Sequence, residues 1–184
     1  MKDTTELTQL EGESVLLRRL SVDDATNMHD AATESAAELE TTMPWFSRGM
    51  TLESFASWAE WAWDAWDRGE HYELSILSTD GTFLGSAGVA VDAKTISGNL
   101  QYWVRTSATG RGVASEATRL ISRWALETLG LQRVEIFISE HNVASQRAAR
   151  KSGAHFEGVL RNKIRWQERA YDAHIFSFVP ADFA

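Results

Sequence analysis

Apolar and polar positions alternate from Ser14 to Leu20, which predicts a strand, and Ser21 is placed to cap a following helix. Ala31 to Leu39 is rich in Ala and Glu and reads as helix, whereas Thr42 to Met50 holds a proline, a glycine and two aromatics and reads as loop. The spacing from Thr51 predicts a long helix to about Arg68, stopped by Gly69. Tyr72–Leu77 and Phe83–Val91 are two strands about a turn at Thr79–Thr82. A second turn over Asp92–Asn99 leads into a strand at Leu100–Val104. Apolar residues at 113, 117, 120, 121, 124 and 125 then have helical spacing, and Leu131–Ser139 alternates as a strand. A short helix from Asn142 stops at Gly153, with Arg150 and Lys151 in its last turn. A hairpin of Gly158–Trp166 and Tyr171–Val179, turning at Gln167-Glu168-Arg169, closes the chain. Hairpins followed by a strand–helix–strand unit predict an α/β fold, a mixed sheet with helices on both faces. No repeat, linker or low-complexity tract divides residues 1–184, so one domain is expected.

The connection between the Leu100–Val104 strand and its helix, Thr109-Gly110-Arg111-Gly112-Val113-Ala114, carries the first chemistry. Two glycines there let the backbone turn tightly and gather several N–H groups, and the helix dipole adds partial positive charge. Such a turn binds phosphate without a cationic side chain. It lacks the third glycine of the dinucleotide fingerprint and the Gly-Lys of a P-loop.

The chain has no cysteine, which excludes disulfides, thiolate metal sites and a cysteine nucleophile. Its five histidines show no ligand spacing, so no metal is expected. A net charge of −8 argues against nucleic acid and anionic membranes as partners. No apolar run approaches a membrane span, and Met1–Glu6 has no apolar core of a signal peptide, so a cytoplasmic protein is expected.

The glycine turn and the Asn-x-x-Ser helix ending in Lys-x-Gly together resemble the GNAT superfamily of acyl-CoA-dependent N-acyltransferases. The resemblance is strong over residues 97–158. Gly112 and Ala114 occupy the two small positions of the family's pyrophosphate loop, and Thr109 stands where Gln or Arg is usual. Met43-Pro44-Trp45-Phe46, Tyr102-Trp103-Val104 and Tyr171-Asp172 look like the Rim-type branch, which acetylates N-terminal amines of ribosomal proteins. The resemblance implies a GNAT-like fold of about seven mostly antiparallel strands and about four helices. It implies acetyl-CoA as cosubstrate, no metal, and direct transfer to a primary amine in a ternary complex. The leading acceptor is a protein N-terminus, ribosomal in the first instance. A small-molecule or peptide-like antibiotic amine is the enzymatic alternative. A non-catalytic CoA-binding regulator is the alternative from another class.

On that reading the amides of Gly110, Arg111, Gly112, Val113 and Ala114 hold the pyrophosphate. The pantetheine arm lies along Tyr102–Val104, and an N–H at Trp103 or Val104 polarises the thioester. Asn142 caps its helix and contacts the cofactor. The tyrosine that many relatives use to protonate the thiolate is replaced by Ala149, and Ser145, one turn earlier, takes that role. The frequent strand carboxylate falls at Asn99, which cannot accept a proton. Glu140, with His141 beside it, is then the nearest candidate base. Glu73, Glu157, Glu168 and a water chain are the others. An α-amine, with a pKa near ~7.7–8.0, needs less help than a lysine at ~10.4. Trp45, Phe46 and Tyr102 are expected at the acceptor. The helix carrying Trp58, Trp61, Trp63 and Trp66 either completes the core with some half-exposed rings, lines the acceptor groove or pairs two subunits as a homodimer.

Overall fold

Hydrogen bonding joins eight strands into one sheet in a computed structural model that describes residues 9–166 and 168–184. The expectation for Met1–Glu6 and the conformation of Gln167 lie outside the described residues. The chain runs β1 (Leu10–Glu11), β2 (Val15–Arg19), α1 (Ala25–Glu34), α2 (Ala36–Thr42), α3 (Leu52–Asp67), β3 (His71–Ser78), β4 (Phe83–Asp92) and β5 (Ser97–Val104). It continues α4 (Val113–Glu127), β6 (Arg133–Ser139), α5 (Val143–Ser152), β7 (His155–Trp166) and β8 (Arg169–Phe178). The strand order is β1-β2-β3-β4-β5-β6-β8-β7, antiparallel except between β5 and β6.

Two counts exceed the expectation. The two-residue β1 is too short to leave a periodic signature. The segment from Ala25 to Thr42 is two helices because Ser35 interrupts it, its hydroxyl donating to the Ala31 carbonyl at 2.7 Å while accepting the Thr106 N–H at 2.9 Å. Strand β5 starts at Ser97, within the expected turn, because Ile96 takes a positive φ of 53° and closes the hairpin early.

Alternation along the strands builds a core on each face. Tyr72, Leu74 and Ile76 of β3 pack with Leu100, Tyr102, Ile136 and Ile138 under α4. Leu77, Phe83 and Trp103 face the other way, against α1, α2 and α3. The latter layer is tied down by charge. Buried Asp24 takes two bonds from Arg18, at 2.6 and 2.8 Å, and one from Ser75 at 2.8 Å, which pins the start of α1 to β3. At the other end of α1, Glu34 pairs with Arg105 and accepts the Ser107 N–H at 2.8 Å. The helix is thereby fixed to the segment that feeds the glycine turn.

These contacts hold the Glu34 carboxyl well down, at about 2, chiefly through Arg105. Glu157 is held at about 2 by Arg133 and Ser177. A depressed carboxylate stabilises the fold above its unfolded pKa and loses that contribution as pH falls to the folded value. Stability should therefore drop between pH ~4.5 and ~2. Glu34→Gln should lower the urea midpoint at pH 6 by the equivalent of about 1 kcal/mol and flatten part of the acid limb. A midpoint with unchanged pH dependence in that variant would show that the Arg105 contact is energetically silent.

Candidate active site

The β5–β6 ladder pairs only Ser97–Asn99 with Arg133–Glu135, and beyond it the two strands part. The Arg105 N–H bonds the Leu84 carbonyl at 2.8 Å in register with the β4–β5 ladder. In an antiparallel pair, residues two apart point their polar backbone groups the same way. Trp103 and Gln101 thus spend theirs on β4, and Leu100, Tyr102 and Val104 turn theirs toward the gap. Of the two amides expected at the thioester, it is that of Val104 that faces the gap, while Trp103 is committed to the sheet. A cavity of about 260 Å³ fills the opening, lined among others by Leu100, Ile138, Asn142 and Ser145.

At the end of the gap stands the glycine turn. Gly112 precedes α4 at φ 90°, and among the described residues no side-chain cap hydrogen bond is made there, which leaves the helix's first N–H groups open. Gly110 is also left-handed, at φ 75°, with open space where a Cβ would be. Arg111, Arg119, Arg123 and Lys151 surround an adjoining cavity of about 460 Å³, opposed by Glu116. Backbone amides, a helix N-terminus and a cationic border suit the phosphates of a nucleotide-bearing cosubstrate.

Asn142 caps α5 by accepting the Ser145 N–H at 3.0 Å, and Gly153 ends that helix in the left-handed region at φ 93°. Ser145 is half-buried at the gap. Its Oγ lies 2.8 Å from the Tyr102 hydroxyl, which also donates to the Ser145 carbonyl at 3.1 Å. Burial pushes the Tyr102 phenol up and keeps it protonated. Tyr102, expected beside the pantetheine arm and at the acceptor, also anchors the start of α5.

Across the sheet from α4 lies a larger cavity of about 470 Å³ between β3–β5, α1, α3 and the Met43–Met50 loop. Trp45 lines this cavity and the gap alike, its ring 6.3 Å from that of Trp103. Phe46 is half-buried in the core behind it. In α3, Phe55 and Trp66 are buried, Trp58 forms part of the cavity wall, and Trp61 and Trp63 stand 44% and 41% exposed.

The acidic candidates separate sharply. Glu140 is exposed at the turn before α5, 3.8 Å from the His141 ring, and touches none of the three cavities. Glu157 is spent on Arg133 and Ser177. Glu168 is 90% exposed in the last hairpin. Of these candidates Glu73 alone lines the larger cavity, beside His71. Among the described residues no group of His, Asp and Glu side chains is arranged to hold a metal ion.

A family model for the acetyltransferase (GNAT) domain matches residues 14–155. The chain belongs to the GNAT family. YjcK of Bacillus subtilis strain 168, a probable N-acetyltransferase, is 26% identical over 163 residues, 85% of this chain and 88% of that one. RimJ of Mycobacterium smegmatis, solved with a CoA disulfide, superposes with a TM-score of 0.82 at 22% identity, covering 91% of this chain and 83% of its own. The ribosomal-protein-S5-alanine acetyltransferase of Vibrio fischeri gives 0.83 at 15% identity, covering 96% and 98%. This GNAT chain is thus an acetyl-CoA-dependent N-acetyltransferase with a mixed α/β sheet. No described helix is long and apolar enough to cross a membrane.

Gly112→Val adds a branched side chain where φ is positive and where the phosphates would approach. CoA affinity measured by calorimetry should fall at least about tenfold, or ~1.4 kcal/mol, with Lys151→Ala causing a smaller loss. Unchanged affinity in a folded Gly112 variant would place the pyrophosphate elsewhere.

Proposed function

We propose that this GNAT enzyme transfers acetyl from acetyl-CoA directly to the α-amine at the N-terminus of a protein, a ribosomal protein being the first candidate. One observation carries the chemistry: the β5–β6 gap presents unpaired backbone amides on one side and the Ser145–Tyr102 hydroxyl pair on the other. The amides of Arg111 to Ala114 hold the pyrophosphate, and the pantetheine arm adds to β5 like an extra strand. The Val104 N–H faces the thioester oxygen, and a positioned donor of this kind stabilises an oxyanion by about 3 kcal/mol. The amine attacks the carbonyl carbon, the N–C bond forms, and the C–S bond breaks. Ser145 gives its proton to the departing thiolate and is reprotonated by the proton that the acylated nitrogen sheds, while the Tyr102 hydroxyl stays protonated and holds Ser145 in place. The Rim-type proteins among the structural neighbours support a protein N-terminus as acceptor. So does the low cost of deprotonating an α-amine, ~7.7–8.0 against ~10.4 for lysine.

Ser145→Ala removes the donor with little change in volume, so folding and CoA affinity should survive. Loss of a positioned acid costs about 10²–10⁴-fold, and CoA is a fair leaving group, so kcat should fall by about 10². A loss below about threefold would leave Ser145 a helix-start residue and give the proton to water. Mass spectrometry of ribosomal-protein N-terminal peptides incubated with acetyl-CoA, alongside lysine-only peptides and free amines, tests the acceptor. Preferred acetylation of free amines would move the enzyme to small-molecule substrates.

A further inference from the structure

His71 and Glu73 sit two residues apart on β3 with their side chains on the α3 face, at the floor of the larger cavity. They are 11% and 9% exposed, with His71 Nε2 2.7 Å from Glu73 Oε2. Among the described residues Glu73 pairs with no arginine or lysine, and its Oε1 makes no hydrogen bond. The imidazole is held by aromatic rings, with centroids 5.8 Å from Trp58 and 5.3 Å from Trp61. The cavity above is mostly apolar, walled by Met28, Met50, Phe55, Trp58 and Trp103, with Ser54, Ser57, Ser86 and Gln101 as its other polar lining. A carboxylate in such surroundings is costly unless a cation or strong donors meet it.

The placement is specific. Glu73, Gly88 and Gln101 form one cross-strand row over β3, β4 and β5. A Cβ on Gly88 would stand 1.9 Å from Glu73 Oε2 and 2.7 Å from His71 Nε2. The pair therefore lies on the bare backbone of Gly88, one strand spacing (about 4.8 Å) from Gln101. Gln101 and Tyr102 border both this cavity and the gap.

We infer that this cavity takes a primary ammonium bearing a large apolar group, with the charge on the Glu73–His71 pair and the apolar group against Met28, Phe55 and Trp58. This rests on the amine-acetylation reading and narrows its acceptor: the residue or group next to the amine is bulky and apolar. A methyl or hydroxymethyl side chain would leave most of about 470 Å³ unfilled. The Glu73–His71 pair takes one proton from the ammonium and freed amine attacks the thioester. The nitrogen's second proton passes through water to Ser145, replacing the proton that Ser145 gives to the thiolate, so one proton is released overall. The pair then releases its proton to water.

Binding can be read without turnover, because Trp45, Trp58 and Trp103 line the cavity and report its occupancy by fluorescence. Phenylalaninamide should bind wild-type enzyme at least about tenfold tighter than alaninamide, and tighter by a similar factor than its deaminated counterpart 3-phenylpropanamide. Glu73→Gln should weaken phenylalaninamide binding at least about tenfold without changing CoA affinity. Gly88→Ala, which keeps both side chains but displaces them, should do the same. A peptide beginning with Phe, run beside the free amide, separates the sources: tighter binding of the peptide supports a protein terminus, and of the amide a small molecule. Equal binding of phenylalaninamide, alaninamide and 3-phenylpropanamide to wild type would overturn the inference, even if the variants failed to fold. Selective binding without acetylation of any amine would uphold the site and sink the proposed function instead.

Discussion

The structure depends on one backbone constraint: β5 and β6 share three residue pairs and then stop bonding. Each strand beyond that point carries N–H and C=O groups that a closed sheet would satisfy internally. Leaving them open is costly in a dry core and useful beside a ligand that can supply the missing partners. The rest of the fold is arranged around that opening. Helix α4 begins uncapped at its end, α5 sets Ser145 on its far side, and Tyr102 bridges the space between strand and helix. Alternation along β5 turns one set of its side chains toward α4 and the other toward α1, α2 and α3.

The larger cavity obeys a different rule. Its walls are mostly methionines and aromatics from α1, α3 and the Met43–Met50 loop, and Glu73 on its floor is the one carboxylate lining it among the described residues. The two cavities meet at Trp45, Gln101 and Tyr102. On the proposed reading, donor and acceptor meet through this short seam in the sheet, an arrangement suited to direct transfer.

Much of this was legible in the chain. The strand before Gly110, the helix after Gly112 and the Asn142 cap follow from local spacing and turn chemistry, and the structure has them all. Interruptions set by tertiary bonds were not, as Ser35 shows: its hydroxyl splits a helix-prone run by bonding a carbonyl behind it and an amide seventy-one residues ahead. Where the acidic candidates stand was harder still to read. Proximity in sequence to Asn142 favoured Glu140, yet Glu140 is exposed, and Glu73 reaches the cavity from three strands away in chain order. A signal was present in Gly88, a glycine inside a strand, which marks a close approach by another group. The sequence could not say which group. Likewise the tryptophans of α3 divide by helical phase into buried Trp66 and cavity-lining Trp58, while Trp63 stacks on Arg19 at 3.6 Å.

The Glu34 contacts have a mechanical meaning. Glu34 ends the helix whose Met28 lines the larger cavity, and its partners Arg105 and Ser107 lie on the stretch leading to the glycine turn. Asp24 clamps the other end of that helix to β3, close to Glu73. The wall is thus bolted at both ends, and its depth is set before any acceptor arrives. As the amine site inferred for it, a chamber of fixed depth would work as a gauge that sorts amines by how well their neighbouring group fills it and rejects poor fits without a lid to close.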